Sequence, residues 1–120
     1  MTKVCIVTGA SRGMGYGIAK VLAEEEGATV YATARSKQAL DDLSASTKDS
    51  LGVIHPCVLD QADDGAVERF VLNVKAKEKQ IDLLVNSAYG GLTAMAPHFG
   101  KPFWERPVSV FDASMNVGLR

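Results

Sequence analysis

Three glycines at a fixed spacing, Gly9, Gly13 and Gly15, follow directly on the apolar run Val4 to Val7 and Thr8. Behind them comes a helical pattern, Ile18, Val21 and Leu22. Strand, glycine turn and helix in that order make a pocket for a phosphate. The turn exposes backbone N–H groups, and the amino end of the helix adds a partial positive charge. Gly9 can take a tight turn without steric cost. Gly13 and Gly15 let backbone approach a pyrophosphate and let the helix pack close to the strand. The plainer alternative is an ordinary strand–turn–helix connection.

The pocket needs elements that place it. Residues 3–8 read as a buried strand, and 13–26 as a helix with Gly27 as its terminal glycine. Residues 28–34 form a second strand. Ser36 can cap a short helix carrying Ala39, Leu40 and Leu43. Residues 44–51 are polar and loop-like, and 52–58 make a third strand ending near Asp60. The next helix carries Val67, Phe70, Val71 and Val74, a stripe that reads as core. Ile81 to Val85 forms a fourth strand ending at Asn86. Residues 87–106 are a long connection rich in Gly, Pro and aromatics, the kind that is often functional. Helical spacing returns over 107–120, with Val108, Phe111, Met115 and Leu119 on one side.

Alternating strands and helices predict right-handed parallel βαβ units in an α/β, Rossmann-type open parallel sheet with helices on both faces. In the doubly wound order, strands one and four are neighbours at a switch point, so the glycine loop and Asn86 face one crevice. Residues 1–120 read as one domain.

Composition narrows the function. With 47% hydrophobic and 22% charged residues the chain reads as a soluble globular protein. A net charge of −1 gives no electrostatic case for nucleic acid or an anionic membrane. No apolar run reaches the ~18 residues of a membrane span, and no signal peptide is evident. Cys5 and Cys57 lie in apolar strand-like runs and read as buried free thiols, which suits a reducing, cytoplasmic setting. His55 and His98 have no partner set at ligand spacing, so no metal site is expected.

Thr8-Gly9-Ala10-Ser11-Arg12-Gly13-Met14-Gly15 resembles the Thr-Gly-x-x-x-Gly-x-Gly motif of the short-chain dehydrogenases/reductases. The resemblance continues through Asp60, Asn86 to Ala88 and Asn116. Phe103-Trp104-Glu105-Arg106-Pro107, Asn116-Val117-Gly118-Leu119-Arg120 and the run Asn86-Ser87-Ala88-Tyr89-Gly90-Gly91 are most similar to the member 1 branch of that family. The resemblance implies that Gly9, Ser11, Arg12, Gly13, Met14 and Gly15 hold the cofactor phosphates and ribose. It implies that Asp60 bonds the adenine amino group, although Asp60 also suits a plain turn or helix cap. Asn86 and Ala88 would line the nicotinamide ribose. Asn116 would be the asparagine of a catalytic tetrad, supporting a water in the proton relay; its alternative is a surface amide.

Two departures stand out. Where the family has Asn-Asn-Ala-Gly after the fourth strand, this chain has Asn86-Ser87-Ala88-Tyr89, so Ser87 lacks a side-chain amide that helps stabilise the central sheet. The family's catalytic Ser and Tyr-x-x-x-Lys, which supply the proton, would follow residue 120. The domain is therefore expected to be incomplete, ending after about four strands. Tyr16 and Lys20 match Tyr-x-x-x-Lys by spacing alone, on the first helix and without a partner serine.

An acidic residue after strand two would select NAD. Here Ala34-Arg35 occupies that place, with no carboxylate until Asp41, and Arg12 stands nearby in the glycine loop. Two guanidinium groups suit a 2′-phosphate by charge and bidentate geometry, unless Arg35 is simply solvated. NADP is the expected cofactor. The first reading is the cofactor-binding half of an NADP(H)-dependent oxidoreductase acting on a small carbonyl or alcohol substrate, inactive as this chain alone. The second is a non-catalytic dinucleotide-binding or interaction module, self-associating through an exposed edge of the sheet. A methyltransferase is the weakest, because Arg35 has the wrong charge for a ribose-holding site.

Overall fold

A computed structural model describes residues 2–89 and 96–119. Gly90, Gly91 and Arg120, quoted above for the resemblance, lie outside the described residues. The elements run β1 (Val4–Thr8), α1 (Gly13–Glu24), β2 (Thr29–Ala34), α2 (Lys37–Ser46), β3 (Val53–Val58), α3 (Asp64–Glu78), β4 (Leu83–Val85) and α4 (Val108–Ala113). The strands form one four-stranded sheet in the order β3-β2-β1-β4. Every pairing is parallel: Val4 stands opposite Thr29, Thr29 opposite Val53, and Cys5 opposite Leu83. This is the expected open Rossmann-type sheet.

Alternation along the strands sorts the core into two layers. Cys5, Val7, Val30, Ala32 and Ile54 meet Ala19 and Ala23 of α1 and Leu40 and Leu43 of α2. Val4, Ile6 and Tyr31 face the other way, toward Val74 of α3, with Cys57 and Phe70 packed beside them. Residues one apart on a strand point to opposite faces, so both faces of β1 are covered and all five of its residues are buried.

The local devices follow the sequence. Ser36 caps α2, its hydroxyl accepting from the Ala39 N–H at 3.3 Å. Asp63 does the same for α3, accepting from the Ala66 N–H at 3.1 Å. Gly27, at φ +65, turns the chain out of α1, and the Ala28 N–H donates to the Leu22 carbonyl. On the α3 face the Tyr31 hydroxyl donates to Glu78 Oε1 at 2.7 Å. Burial, reinforced by that bond and by the Glu78 charge, pushes the Tyr31 phenol up to about 12.

β3 is an edge strand and carries Pro56. Its inward N–H groups are at odd positions: Val53 donates to the Ala28 carbonyl and Leu59 to that of Ala34. Pro56, at an even position, therefore puts its missing donor on the outer side, where no ladder bond is lost.

Several expectations need correction. The α3 stripe is core only at Val74; Val71 is 39% exposed, and Val67 and Phe70 are half-buried. A single described helix covers that sheet face, so the flank of α3 that has no neighbour stays wet. β4 is shorter than predicted, and its Leu83 and Leu84 are exposed. Cys57 is half-buried rather than buried, because it lies on the edge strand. The connection after β4 holds two 3-10 turns, Ala96–His98 and Phe103–Glu105. The last helical stretch is α-helical only to Ala113 and continues as a π turn over Ser114–Leu119, so helical spacing does not keep one face through it. Val108 and Phe111 are exposed there.

Candidate dinucleotide site

The carboxyl ends of β1, β2, β3 and β4 open onto one crevice of about 850 Å³. Its lining begins at the glycine loop, with Gly9, Ser11, Arg12, Gly13 and Met14. The end of β2 contributes Thr33, Ala34, Arg35 and Ser36, and the end of β3 contributes Leu59, Asp60 and Gln61. Ser87, Ala88 and Tyr89 close it from the side of β4.

The glycines do separate jobs. Gly9 sits at φ +65, and a Cβ there would come within 2.6 Å of the Ala88 Cα and the Ser87 carbonyl oxygen. Nothing larger than hydrogen lets the loop after β4 lie against the end of β1. Gly13 is also left-handed, at φ +61, but a Cβ there would meet nothing within 4 Å. Gly13 is thus required by its backbone angle, and the space beside it is open. Gly15 does not line the crevice. A Cβ there would run into the Gly9 carbonyl, so this glycine seats α1 on the turn.

α1 differs from α2 and α3 in having no side chain that caps its amino end, and unlike α3 it has no acidic residue in its first turn. Its first N–H groups are left to an outside acceptor, and its dipole favours an anion. Arg12 and Arg35 add full positive charges to the same crevice, and neither makes an ion pair among the described residues. Asp41 is turned to another use: it pairs with Lys37 at 2.7 Å on the exposed side of α2. The one carboxylate in the lining is Asp60. Its Oδ1 accepts from the Ala62 N–H at 3.0 Å, so it closes the turn before α3 while facing the crevice.

Thr8 explains how the loop after β4 holds its place without an amide at position 87. Its side-chain oxygen accepts from the N–H groups of Ser87, at 3.1 Å, and Ala88, at 3.2 Å. The same hydroxyl donates to the Val85 carbonyl at 3.4 Å. All its capacity is used. Sequence reading included Thr8 in the motif but missed this role, which becomes visible once the β1–β4 register is known.

The structure therefore brings together Gly9, Ser11, Arg12, Gly13, Met14, Arg35, Asp60 and Ala88, with Gly15 just behind. Asn86 is exposed at the end of β4 and does not line the crevice, and Asn116 is exposed in the π turn, also outside the lining. Thr33, Ala34, Ser36, Ala39, Leu59, Gln61, Ser87 and Tyr89 join the lining unpredicted; Thr33 and Ala34 belong to β2, Ala39 to α2, and the others lie just past a strand end. Among the described residues no group of three His, Cys, Asp or Glu side chains could hold a metal ion. No helix among them is long and apolar enough to cross a membrane. Burial raises the thiols of Cys5 and Cys57 above the ordinary value, which makes both poor nucleophiles.

The sequence profile of the short chain dehydrogenase family matches residues 3–119. Dehydrogenase/reductase SDR family member 1 of Mus musculus is 43% identical over 98% of this chain, and its Homo sapiens counterpart is 40% identical over the same share. The chain spans 38% of the length of each. Among solved structures, a metagenomic short-chain oxidoreductase in complex with NADP is 32% identical, with a TM-score of 0.81 over 95% of this chain and 48% of that one.

Proposed function

Because this chain belongs to the short-chain dehydrogenase/reductase family, we propose that it is the cofactor-binding half of an NADP(H)-dependent oxidoreductase acting on a carbonyl or alcohol. When bound, the nicotinamide supplies or accepts the hydride. The chain's own work is to hold and orient. Gly9, Ser11, Gly13 and Met14, with the uncapped end of α1, would take the diphosphate. Asp60 would take the adenine and Ala88 the nicotinamide ribose, with Asn86, exposed at the end of β4 outside the lining, reaching that ribose only from the rim. Asn116 would serve the proton relay. The family's Ser and Tyr-x-x-x-Lys are not in these 120 residues, so the chain by itself is proposed to bind without turnover.

The observation that carries NADP over NAD is the pair Arg12 and Arg35 in one crevice, with the nearest following carboxylate held by Lys37. A 2′-phosphate supplies the charge that pair lacks. The neighbour solved with NADP supports the same reading. The test is to titrate NADP and NAD into the chain and into Arg35→Ala. Charge-assisted hydrogen bonds contribute about 1.5–3 kcal/mol, so the variant should lose roughly tenfold to a hundredfold in NADP affinity and little for NAD. Equal affinity of the parent for the two cofactors would refute the preference.

The exposed Leu83 and Leu84 on β4 favour a second reading, a non-catalytic module whose copies associate through that edge. Sedimentation tests it: a monodisperse monomer at high concentration counts against association.

A further inference from the structure

The dinucleotide reading leaves one contact unused. Tyr89 stands at the rim of the crevice beside Ser87 and Ala88. Its phenol oxygen lies 3.2 Å from the Ser114 hydroxyl, 25 positions along the chain. Among the described residues, the other side-chain hydrogen bonds of 96–119 stay inside that segment: Lys101 Nζ with His98 Nδ1, and Arg106 Nε to the Lys101 carbonyl.

The place of this bond matters. Ser114 is the residue at which the α turn of α4 gives way to the π turn. Asn116 sits two residues further, inside the widened turn. α4 has little else to hold it: Val110 is buried, but Val108 is 76% and Phe111 62% exposed. A short helix with so little buried apolar surface opens easily, so a single hydrogen bond has leverage over it. A glycine at position 89, as in the family pattern, could not make that bond.

We infer that Tyr89 is a positioning residue. Tyr89 itself lines the crevice, and through Ser114 it fixes the turn that carries Asn116, so occupancy of the crevice and placement of Asn116 are coupled. The coupling rests on the dinucleotide reading; the tie itself does not.

Backbone hydrogen exchange over 109–116 tests both parts on the whole chain. Tyr89→Phe and Ser114→Ala should each speed exchange there about three- to tenfold, the range set by one hydrogen bond. The double variant should be no faster than either single one, since both remove the same bond. Ser114→Thr, which keeps a hydroxyl, should restore the parent rate. Multiplicative effects in the double variant, no effect in the singles, or an equal rise across β1 and β2 would overturn the tie. Saturating NADPH should then slow exchange over 109–116 in the parent but not in Tyr89→Phe, with both binding the cofactor. Equal slowing in both overturns the coupling. Failure of the parent to bind NADPH removes the dinucleotide reading and the coupling with it, and the apo comparison still decides the tie.

Discussion

Replacing Thr8 by Val keeps the shape of a nearly buried side chain and deletes its hydroxyl. Three backbone groups then lose a partner: the N–H groups of Ser87 and Ala88 and the Val85 carbonyl. Each bond contributes about 0.5–1.5 kcal/mol net, so the three together span about 1.5–4.5 kcal/mol. Ser87 and Ala88 are half-buried, so water can replace part of what is lost, and the lower half of the range, about 2 kcal/mol, is expected. For a chain of this size that lowers Tm by roughly 6–12 °C. Thr8→Ser keeps the hydroxyl and loses a methyl, at a cost of about 0.8 kcal/mol. Urea unfolding and thermal melts of the three proteins measure the order parent, Ser, Val. Because Ser87 and Ala88 line the crevice, NADP affinity should fall with stability in Thr8→Val and hold in Thr8→Ser. A valine variant within about 0.5 kcal/mol of the parent, or a serine variant as unstable as the valine one, would refute the argument that the hydroxyl anchors this loop.

Gly9→Ala combines a left-handed φ with a Cβ 2.6 Å from the Ala88 Cα; it should destabilise by about 3 kcal/mol or more and abolish cofactor binding, as fluorescence titration with NADPH would show. Tyr31→Phe should flatten the alkaline limb of stability. The folded phenol titrates at about 12, against an ordinary value of 10.0. Its contribution is therefore complete below pH 10 and fades as pH rises toward 12, so denaturant midpoints of parent and variant taken across that window should converge at the top.

What could be read from the chain before folding was whatever a short window contains. The glycine loop, the Ser36 cap and the Gly27 turn are local, and each was found in place because its physics involves neighbours a few residues away. The crevice was legible to the extent that strand ends were, which brought Arg35 and Asp60 to it. Thr8 was not legible as an anchor: its partners lie 77 to 80 positions away and are backbone groups with no signature of their own. The α3 stripe misled for a related reason. Helical spacing says which residues share a face, but whether that face is covered depends on elements elsewhere, and Val71 remains in water. The break from α to π winding at Ser114 has no sequence signal that periodicity detects, so Asn116 was placed on the wrong kind of turn.

The proline on β3 has a partner consequence at the far side of the sheet. Position 56 offers no donor on its outer side, whereas β4 presents the outward N–H groups of Leu83 and Val85, since Asp82 donates inward to the Val4 carbonyl. The two margins are chemically unequal: an added strand, from further chain or from a second copy, would find one donor missing along β3 and none missing along β4. Two copies joined there would leave only their proline-bearing margins outermost. Such a pair would expose margins less suited to further pairing than the one it buries, which disfavours lengthening into a fibre.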